Sequence, residues 1–333
     1  MNQSSSLTQT TLQELTKPKS ELAVNSSFST KVPNLQIAWD STSLGALKTC
    51  PRYYQLAIVE GWQSRRLSVH LIFGLHYHST LEAYDHAKCK GASHREAMEI
   101  AIQHVMEVTW DSKLQRPWTS DDQYKNRETL VRTVVWYMDQ FEDDPLKTVV
   151  LANGKPAVEL SFRYETDYIS PEGSPYMICG HLDRLATLND EYYVVDRKTS
   201  KSTIDERFFA SFTPHNQFSI YVLSSKIVYG IMTKGLIVDG AQVAVTFSRF
   251  RRGTIPRSDA SLDEFYKSIG FYILQAEIYA KANFWPMNEA SCGNYGGCSF
   301  RGICSKSPQV REQWLKADFA KRVWDPLKVR GDV

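Results

Sequence analysis

The chain is poor in the features that mark several protein classes. No apolar run approaches the roughly 18 residues that a membrane span needs, and the N-terminal stretch MNQSSSLTQTTLQELTKPKS lacks the basic-then-apolar plan of a secretory leader. No G-x-x-x-x-G-K-[ST] phosphate loop occurs, so no nucleotide-driven motor is expected within this chain. Neither charge dominates: 39 Lys+Arg face 37 Asp+Glu, a formal net charge of +2. That balance excludes coating of nucleic acid by bulk positive charge but leaves room for a local basic groove. Cysteine is sparse, six in 333 residues, which argues against a disulfide scaffold. The expectation is a cytoplasmic, reducing setting with no membrane contact, where clustered cysteines hold metal. With 42% hydrophobic and 23% charged residues, wholesale disorder is excluded.

What is present suggests one large domain. Residues 1–34, rich in Ser, Thr, Gln and Lys, read as a flexible tail with at most one short helix near Leu12 to Leu15. Residues 35–310 read as the folded domain, with a helical insertion at about 90–150, and residues 311–333 as a C-terminal extension. Helical spacing is expected around Leu44 to Leu56, broken near Cys50-Pro51, and again over 73–86, 94–109 and 122–142. Strands are expected at 158–164, 176–187, 191–196 and 242–250. Thr213-Pro214 reads as a helix start running to about Lys226, and 262–284 as a long helix. This order describes an α/β domain.

The segment GHLDRLATLNDEYYVVDRKTS, residues 180–200, carries the chemistry. A two-residue turn at Asn189-Asp190 sets Asp183 opposite Asp196, with Lys198 on the same face as Asp196. Paired carboxylates suit a hard cation such as Mg2+ or Mn2+, and a lysine beside them can stabilise developing negative charge. That combination fits phosphodiester hydrolysis; a solvated hairpin with a salt-bridging lysine is the structural alternative. Cys292, Cys298 and Cys304 form a C-x5-C-x5-C run, whereas Cys50, Cys89 and Cys179 are scattered. Basic and aromatic residues interleave at Phe247, Arg249, Phe250, Arg251 and Arg252, and at Arg52, Tyr53 and Tyr54, with Arg65 and Arg66 a weaker pair. Such runs suit a single nucleic-acid strand or, equally, a charged sheet edge.

These residues resemble a known family. G-x-x-D followed by D-x-K, at Gly180, Asp183, Asp196 and Lys198, is similar to the signature of the PD-(D/E)XK nucleases. G-x-x-x-H at Gly74 and His78, Q-x-x-x-Y at Gln217 and Tyr221, and STSLGALKTCPRYYQL resemble motifs of the RecB-type branch, in family order over residues 41–304. The resemblance implies a restriction-endonuclease-like core, a central mixed sheet flanked by helices. It implies His78, Asp183, Asp196 and the backbone carbonyl of Arg197 as ligands of Mg2+ or Mn2+, and Lys198 serving the attacking water. Gln217 and Tyr221 would hold the DNA backbone or support the lysine. Glu159 and Glu82 are weaker candidates for the metal site. Asp196 stands where many members carry glutamate.

Nucleases of the AddB type, and those of CRISPR adaptation, place one cysteine before the core and three after it around a [4Fe-4S] cluster. Here Cys50, Cys292, Cys298 and Cys304 match that plan. Zinc is the other metal that thiolates suit, but no C-x2-C pair is present. Cys89 and Cys179 read as ordinary thiols. The implied function is a metal-dependent DNA nuclease, an exonuclease on single strands or free ends in recombination, repair or replication. A separate helicase or recombination protein would supply any unwinding. The alternative is a non-catalytic DNA-end-binding or assembly subunit.

Overall fold

The computed structural model describes residues 26–65 and 68–328. Its centre is a mixed seven-stranded sheet of β1 (Ala38–Trp39), β2 (Lys147–Thr148), β3 (Val158–Ile169), β4 (Pro175–Leu188), β5 (Glu191–Ser200), β6 (Gly235–Val243) and β7 (Ser248–Pro256). The path runs β1-β4-β5-β6-β7, with β2 and β3 also paired to β4. β5 and β6 are parallel, as are β1 and β4; the other pairs are antiparallel. Helices cover both faces. α1 (Ser41–Thr49), α5 (Asn216–Tyr229) and α6 (Asp259–Ala282) contribute to the larger core with Val194, Leu236 and Val238. α2 (Val69–Cys89), α3 (His94–Val108) and α4 (Arg127–Gln140) pack against Ala241 and Val243 on the other side. The expected mixed sheet flanked by helices is the observed fold class.

Local chemistry accounts for the element boundaries that matter to the site. Asn189 and Asp190 both adopt left-handed φ (50° and 64°), the conformation a two-residue hairpin needs, and both side chains tolerate it. The ladder then pairs Leu188 with Glu191 through to Arg184 with Val195, the register predicted from the turn. α1 begins in a capping box between Asp40 and Ser43 and stops at Cys50, whose extended φ of −164° precedes Pro51. α3 and α4 start in similar boxes at Ser93/Glu96 and Asn126/Thr129.

Four expectations change. The strand predicted over 242–250 is a hairpin: β6 ends at Val243 and β7 begins at Ser248, closed by the Ala244 N–H donating to the Phe247 carbonyl (3.0 Å). β6 is buried on both faces, so its sequence shows no alternation, and the turn contains no Gly, Pro, Asn or Asp to signal it. The helix expected from Thr213-Pro214 starts at Asn216 and runs to Gly230, whose φ of 68° ends it. Residues 26–34 do not hang free of the domain. Ser27 donates to Asp325 and Ser29 to Glu172 (both 2.7 Å), and Phe28 bridges to Gln36, so this segment is pinned ahead of the buried Leu35 and Ile37. The helix considered near Leu12 to Leu15 lies outside the described residues. The C-terminal extension also folds back: Phe319–Lys321 pairs with Trp62–Ser64.

Candidate metal centre and nuclease site

The hairpin of β4 and β5 opens just beyond Arg184 and Val195, the last pair of its ladder. There the Arg197 N–H donates to Asp183 Oδ2 (3.1 Å), a carboxylate standing where a main-chain acceptor would otherwise be expected. From α2, His78 Nδ1 approaches Asp183 Oδ2 at 3.1 Å. Glu159 completes the group: ligand atoms of His78, Glu159 and Asp183 lie within 4.8 Å of one another. Glu159 gets there through its backbone. Val158 pairs with Arg184 and Leu160 with Leu182, leaving Glu159 at a left-handed φ of 48°, unusual for glutamate and typical of strain held at a working site.

Asp196 is fully buried. Its Oδ2 meets Lys198 Nζ at 2.7 Å, while its Oδ1 has no hydrogen-bond partner among the described residues. Burial and the nearby Asp183 carboxylate push Asp196 up to about 6, against the opposing pull of Lys198. Burial acts in the same direction on Asp183, but His78, Lys198 and the Arg197 N–H hold it well below the usual carboxylate range. His78, which burial alone would make a weaker base, is raised by Asp183. Lys198 is raised too: Asp196 and Asp183 outweigh its burial. Lys198 also donates to Gln217 Oε1 (3.2 Å), and Gln217 Nε2 donates to the Tyr221 hydroxyl (2.8 Å). Tyr221 is buried edge-on to Phe162.

The donor set fits a hard divalent cation. An unpartnered, fully buried carboxylate oxygen is costly unless something positive approaches it. Carboxylates with one imidazole are ligands that Mg2+ or Mn2+ accepts. The Arg197 carbonyl belongs to the same strand segment. Asp196 and His78 must both shed protons to bind a cation, so Mn2+ affinity should rise with pH. With Asp196 at about 6, this group alone should make affinity at pH 5 about tenfold weaker than at pH 7.5, and His78, raised above its ordinary value, should weaken it further. Calorimetric Mn2+ titrations at the two pH values check this, and equal affinities would remove Asp196 from the ligand set. Glu82 is elsewhere engaged, with its Oε1 3.8 Å from His86.

The four cysteines of the expected cluster lie near one another, where the start of the domain meets its end. Cys50 is buried in the break after α1, and its Sγ accepts the Asn288 N–H (3.3 Å). The Cys298 N–H donates to the Cys292 carbonyl (3.0 Å). Burial pushes the Cys298 thiol up, and the neighbouring Cys292 and Cys50 add to this. Burial also raises Cys304; Arg52 opposes it, and Cys298 and Cys50 reinforce it. Cys298 and Cys304 pack beside Leu56, Trp62, Phe300 and Ile303. The raised Cys298 and Cys304 thiols stay neutral on their own, and a cation held between the cysteines would favour their thiolates. Beside them lies a cavity of about 840 Å³ whose lining includes Arg52, Trp62, Arg65, Arg311, Lys316 and Lys321.

Sequence patterns misplace several residues. Tyr54 is core, stacked on Trp39 with its hydroxyl donating to Gln36, and does not offer a face to nucleic acid. Arg252 points into the fold and pairs with Asp144 at 2.6 and 2.8 Å and with Asp239 at 3.2 Å. Arg251 meets Glu206 yet stays exposed, so it and Arg249, which lies over Phe247, form the exposed part of that run. Arg66 lies outside the described residues. Asp85, which carries no motif, pairs with Arg197 at 2.7 Å; its only sequence signal is its place two turns after His78.

Comparison with known proteins bears on these residues as a set. The profile of the PD-(D/E)XK nuclease superfamily matches residues 39–305. A Eubacterium rectale protein with a provisional exonuclease assignment has a crystal structure similar to this one at 12% identity and a TM-score of 0.45, covering 86% of this chain and 99% of that one. The structure of SSO0001 is similar over 44% of this chain and 58% of that one, at 16% identity and a TM-score of 0.25. No curated protein matches. No helix among the described residues is long and apolar enough to cross a membrane. The profile spans every motif from α1 to the last cysteine, and this chain belongs to the PD-(D/E)XK nuclease superfamily.

Proposed function

We propose that this chain is a metal-dependent deoxyribonuclease that degrades single strands or free DNA ends, working as an exonuclease in recombination, repair or replication. The observation that carries the reading is the fully buried Asp196, its Oδ1 unpartnered, set beside the Asp183–His78–Glu159 group and held at Oδ2 by a charged lysine. His78, Glu159, Asp183, Asp196 and the Arg197 carbonyl would hold Mg2+ or Mn2+. When bound, the cation lowers the pKa of a water and neutralises charge on the scissile phosphate.

The protein's own groups do the rest. Lys198 stays protonated, because Asp196 and Asp183 favour its charge despite burial, so it acts as a donor and not as a base. Its Nζ is fixed between Asp196 and Gln217, a position from which it orients the attacking water or steadies a non-bridging phosphate oxygen. Tyr221 holds Gln217 in turn. The cavity beside the cysteines, with Arg52, Arg65 and Arg311 in its lining, suits the phosphates of a single strand.

The test is digestion of linear and circular single-stranded DNA, and of duplex with labelled ends, in Mn2+, Mg2+ or EDTA. Metal-dependent loss of linear strands with circles spared is the expected result. Nicking of circles makes the enzyme an endonuclease, and stable binding of ends without cleavage favours the non-catalytic subunit. A separate helicase or recombination protein is the proposed partner.

Cys50, Cys292, Cys298 and Cys304 are proposed to hold a [4Fe-4S] cluster that ties the start of the domain to its end. Anaerobically purified protein should be brown, with about four iron and four sulfide per chain. Cys298→Ser should bleach it and lower the melting temperature, since the link closes a loop of more than 200 residues. Colourless protein with stoichiometric zinc would replace the cluster by a zinc site.

A further inference from the structure

Each paired acid of the site is followed directly by an arginine, Asp183 by Arg184 and Asp196 by Arg197. Side chains alternate along a strand, so each arginine leaves the face its acid occupies. Both arginines are buried, and both turn to the same partner. Asp85 Oδ2 accepts from Arg197 Nη2 at 2.7 Å, and Asp85 Oδ1 lies 3.9 Å from Arg184 Nη1. Arg184 is fixed further by Thr148 Oγ1 (2.8 Å) and the Leu146 carbonyl (2.6 Å), and Arg197 lies over the Tyr137 ring. Asp85 belongs to α2, seven residues after His78 and so on the same side of that helix. A single helix therefore meets the hairpin twice, at Asp183 through His78 and at both arginines through Asp85.

We propose that Asp85 is a positioning residue that clamps the two Asp-Arg pairs and so sets the separation of Asp183 and Asp196. The inference rests on reading those acids as cation ligands. The link from clamp to site is the Arg197 backbone: its side chain is held by Asp85 while its N–H donates to Asp183 Oδ2. A shift of Arg197 must move Asp196 and Lys198, its chain neighbours, relative to Asp183.

Asp85→Glu tests this with the charge kept and the reach lengthened by one methylene; Asp85→Asn removes the charge. Amide hydrogen exchange at Arg197 should quicken at least tenfold in Asp85→Glu, while the buried Ile273 of α6 stays near its wild-type rate. Mn2+ affinity should weaken about tenfold or more, with kcat falling in step and KM for DNA within twofold. Asp85→Asn should exceed these effects where it folds; where it does not, Asp85→Glu decides. Arg197 exchange and Mn2+ affinity within twofold of wild type in folded Asp85→Glu would overturn the clamp. Altered exchange in a protein whose wild type cuts no DNA would keep the clamp and remove the nuclease reading. A cutting enzyme indifferent to Asp85→Glu would do the reverse.

Discussion

Lys198→Ala is expected to lower the single-turnover cleavage rate by about 10²- to 10³-fold while leaving the fold and Mn2+ affinity intact. The size follows from what Lys198 is in a position to do. It is a protonated donor in a largely buried site, and a charged donor there is worth far more than one in water. Its loss leaves the DNA phosphate short of a donor that is already in place before substrate arrives, held by Asp196 at 2.7 Å and Gln217 at 3.2 Å. Metal affinity should not fall, because Lys198 competes with a cation for Asp196 Oδ2 and its loss frees that oxygen. The fold should persist, but the metal-free variant should lose some stability, because the buried Asp196 carboxylate is left without its partner until a cation binds. Parallel circular dichroism, Mn2+ titration and single-turnover cleavage check the three parts. An alanine variant that cuts at the wild-type rate would leave Lys198 as the salt bridge of an ordinary hairpin.

Arg252→Ala should be the most destabilising of the arginine substitutions in the basic run, by about 3–5 kcal/mol, with DNA affinity unchanged. The guanidinium holds Asp144 through two oxygens at 2.6 and 2.8 Å, reaches Asp239 at 3.2 Å and covers the Phe141 ring. Asp239 is 1% exposed, and its remaining described support is the Tyr137 hydroxyl, so removing Arg252 strands a buried carboxylate. Denaturant unfolding of the variant beside Arg249→Ala measures the contrast. Arg249 is exposed and should change stability by less than about 0.5 kcal/mol. Equal stabilities for the two variants would contradict the network.

Much of the site was legible because its chemistry is local in sequence. Asn189-Asp190 dictates the turn, the turn dictates the register, and Asp183 and Asp196 fall just past the last ladder pair, Arg184 with Val195; the grouped ligand atoms are those of Asp183, His78 and Glu159, with Asp196 outside that group. His78 and Gln217 came only through motif resemblance, since nothing in a helix sequence says which strand it will meet. Glu159 is hard to weigh from sequence for a physical reason: its approach depends on a left-handed φ inside β3, which a strand pattern does not foresee. Composition cannot separate a cation that serves DNA from one that neutralises a buried aspartate, as at Arg252, or an aromatic that stacks on a base from one that fills the core, as at Tyr54. The hairpin of β6 and β7 was missed where continuous burial erased alternation and the turn lacked its usual residues. Asp85 was invisible as chemistry, because its two partners come from strands roughly a hundred residues further along the chain.

Single-turnover cleavage of end-labelled single-stranded DNA, titrated with Mn2+ and run for wild type beside Asp183→Asn, bears most directly on the metal centre. Wild type should be inert in EDTA and reach a saturating rate as Mn2+ is added. Asp183→Asn loses the carboxylate that faces His78 and the Arg197 N–H, and it should stay inactive or need at least tenfold more Mn2+. Cleavage in EDTA, intact DNA at every Mn2+ concentration, or coincident curves for the two proteins would contradict the account.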